Sequence, residues 1–185
     1  MHEEQVITVD SADRPLGTMG KLAAHQTGVL HRALSVFIFN PAGQLLLQRR
    51  ALHKYHSGGL WTNTCCSHPR PGEDTADAAH RRLQEEMGFD CDFDFAFSFE
   101  YRAQVGDLIE HELDHVFVGT WSASPQPSPE EVADWTWMDA DTVSLELFET
   151  PEAYTEWFKL VWERVRAWRD AHVSGQRPTP FATRA

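Results

Sequence analysis

The stretch WTNTCCSHP at residues 61–69 contains residue types that could perform acid-base or metal chemistry. It holds two of the chain's three cysteines, Cys65 and Cys66, followed by His68. Because three is an odd number and adjacent cysteines bridge only in a strained ring, we expect reduced thiols. The segment is rich in Asn, Thr and Ser and lacks periodicity, which predicts a loop. A thiol there, near a histidine, has the exposure and charged neighbours that reactivity requires. A thiol that only packs is the alternative, and it is our interpretation of Cys91.

A second group of residues could bind a divalent cation. Its members are three imidazoles and two carboxylates from separate segments: His25, His31, His68, Glu110 and Glu112. In LIEHELDHVFVGTW the two-residue period of a strand puts both carboxylates on one face and His111 on the other. Nitrogen and oxygen ligands favour Mn²⁺ or Mg²⁺, with Zn²⁺ as an alternative. The same residues also fit surface histidines beside a solvated strand face, so spacing alone leaves the site open.

Apolar strands would position these groups. ALSVFIFN, PAG and QLLLQRR in succession predict a core hairpin whose first strand is buried on both faces. FDFAFSFEYRA alternates in hydrophobicity, which predicts a strand with an aromatic stripe on one face. The stripe comprises Phe93, Phe95, Phe97, Phe99 and Tyr101.

Two amphipathic helices are also predicted. GEDTADAAHRRLQEEMGF predicts a helix that Asp74 or Thr75 caps and Gly88 ends. Its apolar face comprises Ala76, Ala79, Leu83 and Met87. TPEAYTEWFKLVWERVRAW predicts a final helix with Thr150 as its cap and Pro151 in its first turn. The face of that helix comprises Tyr154, Trp157, Phe158, Val161 and Val165. Strands with interspersed helices indicate an α/β (α+β) fold.

Composition indicates one globular domain. A chain of 185 residues with 42% hydrophobic content can form a sizeable core, which we assign to residues 1–172, with a flexible C-terminal tail at 173–185. A net charge of -12 argues against a nucleic-acid or anionic membrane partner. The acidic start MHEEQVITVD has no apolar stretch for export, and ALSVFIF is too short to span a bilayer, so we expect a soluble cytoplasmic protein. We also expect it to be a monomer.

The first predicted helix resembles the Nudix motif, in which a loop and helix present glutamates to a cation on a diphosphate. On the alignment that places Gly88 at the end of the motif, the chain keeps Glu73, Arg81, Leu83, Glu85 and Glu86. Ser67 stands in place of the opening glycine and Arg82 in place of the central glutamate. A guanidinium at that position suits a phosphate, and the Glu86 carboxylate suits Mg²⁺.

The segments WTNTCCSHP, RRLQEEMG and EHELDHV, in this order and at these intervals, resemble the type I isopentenyl diphosphate isomerase family. The resemblance covers most of the chain, from about Val6 to the final helix. It implies a Nudix-like mixed sheet sandwiched between helices. It also implies that the substrate is an isoprenyl diphosphate, with interconversion of isopentenyl and dimethylallyl diphosphate as the reaction.

The resemblance implies a role for particular residues. It makes Cys66 and Glu112 the proton-transfer groups, with Tyr101 assisting Glu112. One divalent metal would be bound by His25, His31, His68, Glu110 and Glu112. Glu86 and the backbone carbonyl of Cys66 would hold a Mg²⁺ ion on the diphosphate. Trp157 would cover the reacting carbons, and the phosphates would be bound by Lys21, Arg50, Lys54 and Arg82.

Two further expectations concern loops and histidines. Gly58 stands where many members of that family have proline, which predicts a mobile loop at 53–60. The histidines that match no motif ligand are expected to be mostly solvated: His53, His56, His80, His111, His115 and His172.

Two other functions remain possible on sequence grounds. A Nudix hydrolase would use the same helix but would need the carboxylate that Arg82 replaces. A non-catalytic zinc module would use Cys65, Cys66 and His68, although adjacent cysteines fit a tetrahedral site poorly.

Overall fold

A computed structural model describes residues 4–173, so the predicted tail, apart from Val173, lies outside the described residues. This part of the chain forms four α-helices and nine strands. The helices are α1 (Lys21–Thr27), α2 (Thr75–Met87), α3 (Ala140–Glu149) and α4 (Glu156–Val173). The strands are β1 (Gln5–Val9), β2 (Pro15–Gly20), β3 (His31–Phe39), β4 (Gln44–Arg50), β5 (Trp61–Thr62), β6 (Cys65–Ser67), β7 (Phe93–Val105), β8 (Leu108–Thr120) and β9 (Val132–Asp139).

The sheet is mixed, and β3 is its central strand. β3 runs parallel to β8 along its whole length and antiparallel to β6 and β1. Every residue of β3 except Arg32 is buried, which confirms the predicted strand with two buried faces. Apolar clusters cover both faces of the sheet, one beneath α2 and one beneath α4. The predicted α+β sandwich is therefore confirmed.

The predicted core hairpin is only partly right, because β3 and β4 diverge after a single residue pair, Phe39 and Leu45. Thr64 lies between the two strands. Its hydroxyl accepts a hydrogen bond from the Ile38 amide at 2.9 Å and donates one to the Leu46 carbonyl at 2.7 Å. The divergence brings Trp61–Thr62 and Cys65–Ser67 into the sheet as β5 and β6, so the prediction of a loop is wrong for these residues.

Helix α2 follows its prediction closely. The Asp74 carboxylate accepts hydrogen bonds from the amides of Ala76 and Asp77, which makes Asp74 the cap. Gly88 ends the helix with φ 74°, a left-handed conformation that favours glycine. The predicted apolar face packs beneath the sheet, and its members are Ala76, Ala79, Leu83 and Met87.

The final helix begins later than predicted. Pro151–Ala153 forms a short 3-10 helix and Tyr154 is extended, so α4 starts at Glu156 and Thr150 does not cap it. The predicted face from Trp157 onward is buried as expected. Helices α1 and α3 were not predicted, and α1 has only seven residues, too few for a clear helical period.

The prediction of a single aromatic stripe along β7 is wrong in one respect. A bulge between Phe95 and Phe97 shifts the register against β8, so the strand changes face at Ala96. Phe93 therefore packs in the cluster beneath α2, whereas Phe97 packs beneath α4. Phe99 and Tyr101 remain on the α4 side, and Tyr101 ends the stripe as predicted.

Candidate active site

One cleft between the central strands and α4 brings together residues that are far apart in the sequence. Seven of the predicted site residues line it: Lys21, Arg50, Cys66, His68, Glu110, Glu112 and Trp157. His31 on β3 pairs directly with Glu112 on the parallel strand β8, and Tyr101 on β7 pairs with Glu112 from the other side. Strand register therefore centres the site on Glu112.

A buried cluster next to the cleft is suited to a metal ion. Its members are His25, His31, His68 and Glu112, whose candidate ligand atoms all lie within 4.8 Å of one another. The Nε2 atom of His68 is 3.1 Å from Oε1 of Glu112, and those of His25 and His31 are each 3.5 Å from it. The four residues come from α1, β3, β6 and β8, so only the folded chain assembles the cluster.

The orientation of two imidazoles tests whether this cluster fits a cation. Nδ1 of His25 lies 2.7 Å from the Lys21 carbonyl, and Nδ1 of His31 lies 2.8 Å from the Val29 carbonyl. Since a carbonyl only accepts, each Nδ1 carries the proton and each Nε2 offers a lone pair. Both Nε2 atoms are buried and have no hydrogen-bond partner among the described residues. Buried lone pairs directed at a carboxylate are the arrangement that a metal ion satisfies.

The charge states of the cluster also suit a cation. Burial alone would raise the pKa of Glu112, but the three imidazoles beside its carboxylate hold this pKa well below its usual range. Burial lowers the pKa of His68 to about 4, although Glu112 opposes the shift. Glu112 is therefore ionised and His68 neutral near pH 7, and these are the forms that bind metal.

Glu110 reaches the cleft but lies outside the four-residue cluster. Its Oε1 atom is 3.2 Å from Nε2 of His56, and its Oε2 atom accepts a hydrogen bond from the Tyr101 hydroxyl at 3.4 Å. Burial and the neighbouring Glu112 raise the pKa of Glu110 to about 9. Ligation of the metal by Glu110 stays a prediction.

The two adjacent thiols have different surroundings because consecutive residues of a strand face opposite sides. Cys66 borders the cleft, where Arg50 Nη1 lies 3.6 Å from its sulfur, while Cys65 is fully buried beneath α2. Burial raises the pKa of Cys66 to about 12, and Arg50 opposes the shift only in part, so the thiol is neutral near pH 7. The two sulfurs cannot share an ion, and this geometry excludes the zinc module.

Two aromatic side chains complete the cleft. The Tyr101 hydroxyl donates a hydrogen bond to Oε2 of Glu112 at 2.7 Å. The Trp157 indole is buried, and its Nε1–H donates to the Asn63 side chain at 3.1 Å. The Arg50 guanidinium lies 5.3 Å from the centre of the Trp157 ring. The face of the Trp157 indole therefore makes a cation–π contact with Arg50 in the structure.

The predicted phosphate-binding cations fall into two groups. Lys21 and Arg50 line the cleft, and Lys21 pairs with Glu4 at 3.0 Å. A second group forms around Glu131, whose carboxylate contacts Lys54 and lies 3.3 Å from Arg82. Arg82 also contacts Glu86 at 2.6 Å, as expected for residues four positions apart on a helix.

The structure brings three further polar residues to the site that sequence reasoning missed. Ser35 lines the cleft, and its hydroxyl donates to the buried Asp114 carboxylate at 2.7 Å. Asn63 holds Trp157. Strand alternation could have identified Asp114, which shares the face of Glu110 and Glu112, but Asn63 gave no signal beyond its place in the thiol motif.

The prediction that the unmatched histidines are solvated is wrong for several of them. His56 lines the cleft beside Glu110, and His115 is partly buried against Asp13 at 3.0 Å. His111, on the face predicted for it, contacts the Gly28 carbonyl at 3.0 Å. The remaining unmatched histidines are exposed or half-exposed: His53, His80 and His172.

The loop before Trp61 packs closely around Gly58. A Cβ atom at this position would lie 2.8 Å from the Leu52 carbonyl and 2.9 Å from the Lys54 carbonyl. The observed conformation therefore requires glycine, while the mobility of the loop stays a prediction. No helix within residues 4–173 has both the length and the apolar character needed to cross a membrane.

Comparison with known proteins first defines the class. The NUDIX domain family matches residues 29–160. Among solved structures, DR0079 from Deinococcus radiodurans superposes with a TM-score of 0.75 at 17% identity, covering 87% of this chain and 98% of that one. The MutT protein from Methanosarcina mazei gives a TM-score of 0.63 at 20% identity, covering 76% and 95%. At such identities these structures establish a Nudix fold and nothing finer.

Curated relatives then identify the group within that class. Isopentenyl-diphosphate Delta-isomerase 2 of Aromatoleum aromaticum is 52% identical over 94% of this chain and 92% of its own length. Isopentenyl-diphosphate Delta-isomerase of Serratia proteamaculans is 53% identical over 84% and 88%. The chain belongs to the Nudix superfamily and, within it, to the isopentenyl-diphosphate Delta-isomerase family.

Proposed function

We propose that the protein interconverts isopentenyl diphosphate and dimethylallyl diphosphate. One observation carries the proposal: a thiol and a carboxylate–phenol pair, Cys66 and Glu112 with Tyr101, meet at a cleft that an indole covers. The reaction adds a proton to one carbon and removes a proton from another. It therefore needs two proton-transfer groups, and the names of the relatives support this activity.

We assign the divalent metal to His25, His31, His68 and Glu112, with Glu110 as a fifth ligand. Mn²⁺ or Mg²⁺ suits this nitrogen and oxygen set, and Zn²⁺ is the alternative. When bound, such an ion acts as a Lewis acid that makes neighbouring groups more acidic. A further Mg²⁺, held by Glu86 and the carbonyl of Cys66, would accompany the diphosphate.

The chain's own residues hold the protons that move. Tyr101 and Glu112 share a proton through their 2.7 Å hydrogen bond on one side of the cleft. In each direction one group donates a proton to a carbon while the other, in its deprotonated form, accepts the proton that the second carbon loses: the Cys66 thiol acts with the Glu112 carboxylate, or protonated Glu112, assisted by Tyr101, acts with the Cys66 thiolate. The Trp157 face stabilises a tertiary carbocation between them by about 2 kcal/mol where water is excluded. Water must be excluded from the cleft because it would trap the carbocation as an alcohol.

The acidic protein binds its anionic substrate through a local cluster of cations. We assign the diphosphate to Lys21, Arg50, Lys54 and Arg82. In the structure, Lys54 and Arg82 are paired with Glu131, so binding would exchange these ion pairs for contacts with phosphate. We also propose that the protein works as a cytoplasmic monomer with one domain at residues 1–172.

The test is to incubate the protein with isopentenyl diphosphate and Mg²⁺ in D₂O. Isomerisation predicts dimethylallyl diphosphate, carbon-bound deuterium in both recovered compounds, and no released phosphate, because the protons on Cys66, Tyr101 and Glu112 exchange with solvent. Hydrolysis would release phosphate or pyrophosphate and leave the carbons unlabelled. That outcome would replace the proposal by the Nudix hydrolase, which the sequence disfavours because Arg82 stands where the motif has glutamate.

A further inference from the structure

The Trp157 indole and the Cys66 thiol belong to distant parts of the chain, yet they line the same cleft. Trp157 lies in the first turn of α4, and Cys66 lies on β6. A reaction that moves protons through a carbocation needs both groups fixed against each other. Asn63, which directly precedes Thr64 and β6, contacts both sides.

The orientation of the Asn63 amide is determined by its partners. Its NH₂ group donates to the Val36 carbonyl at 3.1 Å and to the Cys65 carbonyl at 2.7 Å. Since carbonyl oxygens only accept, the nitrogen must face them and Oδ1 must face the opposite way. There Oδ1 accepts the Thr62 hydroxyl at 2.9 Å and the Trp157 Nε1–H at 3.1 Å.

The same network extends to the start of α4. The Thr155 hydroxyl donates to the Thr62 hydroxyl at 2.9 Å, and the Thr155 amide donates to the Trp61 carbonyl at 3.0 Å. Thr62, Asn63 and Thr155 are fully buried. The segment before β6 and the first turn of α4 are therefore joined by buried hydrogen bonds that water does not weaken.

We infer that Asn63 is a positioning residue for the reaction, which fixes the Trp157 indole relative to the thiol-bearing strand. The inference rests on the proposed isomerase function. Rotation of the indole would remove an N–H donor from a buried oxygen, so the ring is oriented before substrate arrives. An acceptor on Nε1–H also enriches the ring in electron density, which strengthens its attraction for a carbocation.

The kinetic test compares Asn63→Ala with a matched control on the same helix. Trp162 is also buried in α4, and its indole donates to the Ser144 hydroxyl at 2.8 Å, away from the cleft. Asn63→Ala should lower kcat about 10- to 100-fold while KM changes much less, because the indole loses its orientation. Ser144→Ala removes the equivalent acceptor from Trp162 and should leave kcat within about twofold.

A spectroscopic test does not depend on activity. The seven tryptophans give indole N–H signals in a ¹⁵N–¹H spectrum, and Trp157→Phe identifies the signal of Trp157 by its loss. In Asn63→Ala this signal should move upfield and exchange faster with solvent, while the other signals stay in place. In Ser144→Ala the signal of Trp162 should move instead.

A double-mutant cycle separates positioning from a general loss of stability. In a Trp157→Phe background, which has no indole N–H, Asn63→Ala should lower kcat much less than in the unmodified protein. Equal losses in both backgrounds would overturn the inference. An unchanged kcat in Asn63→Ala would also overturn it, whether or not the indole signal moves.

Two further outcomes of these experiments can be told apart: Asn63→Ala does not fold, or the unmodified protein does not isomerise its substrate. If Asn63→Ala does not fold, Thr62→Val takes its place, since it removes the hydroxyl that holds the same oxygen. It should shift the Trp157 signal and lower kcat severalfold, and no change in kcat would overturn the inference. If the unmodified protein does not isomerise its substrate, the proposed function fails together with the catalytic role, and the spectra alone decide whether Asn63 holds the indole.

Discussion

Single residues in this site derive their roles from the direction in which a short strand points them. Cys65 and Cys66 are chemically identical neighbours, but one packs beneath α2 and the other borders the cleft. The same alternation puts Glu110 and Glu112 on one face of β8 and His111 on the other. Orientation, rather than residue type, thus separates a packing thiol from one that can move protons.

The two thiols should therefore respond differently to removal. Cys66→Ala should lower isomerisation about 100-fold or more, because it removes a proton-transfer group. Cys65→Ala should leave kcat nearly unchanged and lower the free energy of unfolding by about 1 kcal/mol, since it leaves a small void in the core. Turnover assays and urea unfolding measure the two effects, and equal losses of activity would contradict the assignment.

At the scale of elements, helix α2 combines end signals that are visible in its sequence with an ion pair to the loop that precedes it. Asp74 and Gly88 set its two ends, and both were predictable from sequence. Glu73, just before the cap, accepts two hydrogen bonds from Arg81 at 2.6 and 2.7 Å and one from the Arg70 amide at 2.7 Å. This bidentate pair fixes the loop that enters the helix.

Stability should depend on pH through Glu73. The hydrogen bonds from Arg81 hold the pKa of Glu73 below its usual value of 4.5. A lowered folded-state pKa contributes stability above the unfolded-state pKa, and this contribution is lost as pH falls through the folded-state value. Glu73→Gln should therefore unfold about 1 kcal/mol more easily at neutral pH, with the difference shrinking below about pH 4.

Urea unfolding across this pH range measures the difference. Glu152→Gln, at an exposed carboxylate, controls for the loss of one negative charge and should show no comparable change. A destabilisation by Glu73→Gln that persists undiminished in acid would show that the carboxylate charge is not its origin.

At the scale of the whole molecule, the candidate metal cluster combines side chains from four separate elements. Its four ligands come from α1, β3, β6 and β8, and the parallel pairing of β3 with β8 sets His31 beside Glu112. Because these ligands are dispersed in the unfolded chain, a bound ion stabilises the folded state alone.

Metal binding should therefore raise the unfolding temperature. Mn²⁺ at about a hundredfold excess over its Kd should stabilise the protein by about 2.7 kcal/mol, or about 5 to 10 °C for a chain of this size. A chelator should reverse the shift, which calorimetry with and without Mn²⁺ would measure. His25→Ala should abolish the shift, whereas His53→Ala, at an exposed histidine, should retain it. A shift that survives in His25→Ala would rule out this site.

Sequence alone was sufficient for features that depend on local periodicity. It predicted the buried strand β3, the ends and apolar face of α2, the shared face of Glu110 and Glu112, and, through the resemblance, seven of the residues that line the cleft. Such patterns repeat every two or 3.6 residues, so they can be read without knowing what packs against them.

Only the tertiary structure decided the features that depend on distant neighbours. Thr64 separates the predicted hairpin, the bulge in β7 divides the aromatic stripe, and His56, predicted to be solvated, lines the cleft. In the same way, Asn63 meets Trp157 because β5 pairs with the segment just before α4, where Trp61 forms a β-bridge with Tyr154. A hydrogen bond or a register shift between segments leaves no period in either segment, so the sequence could not reveal it.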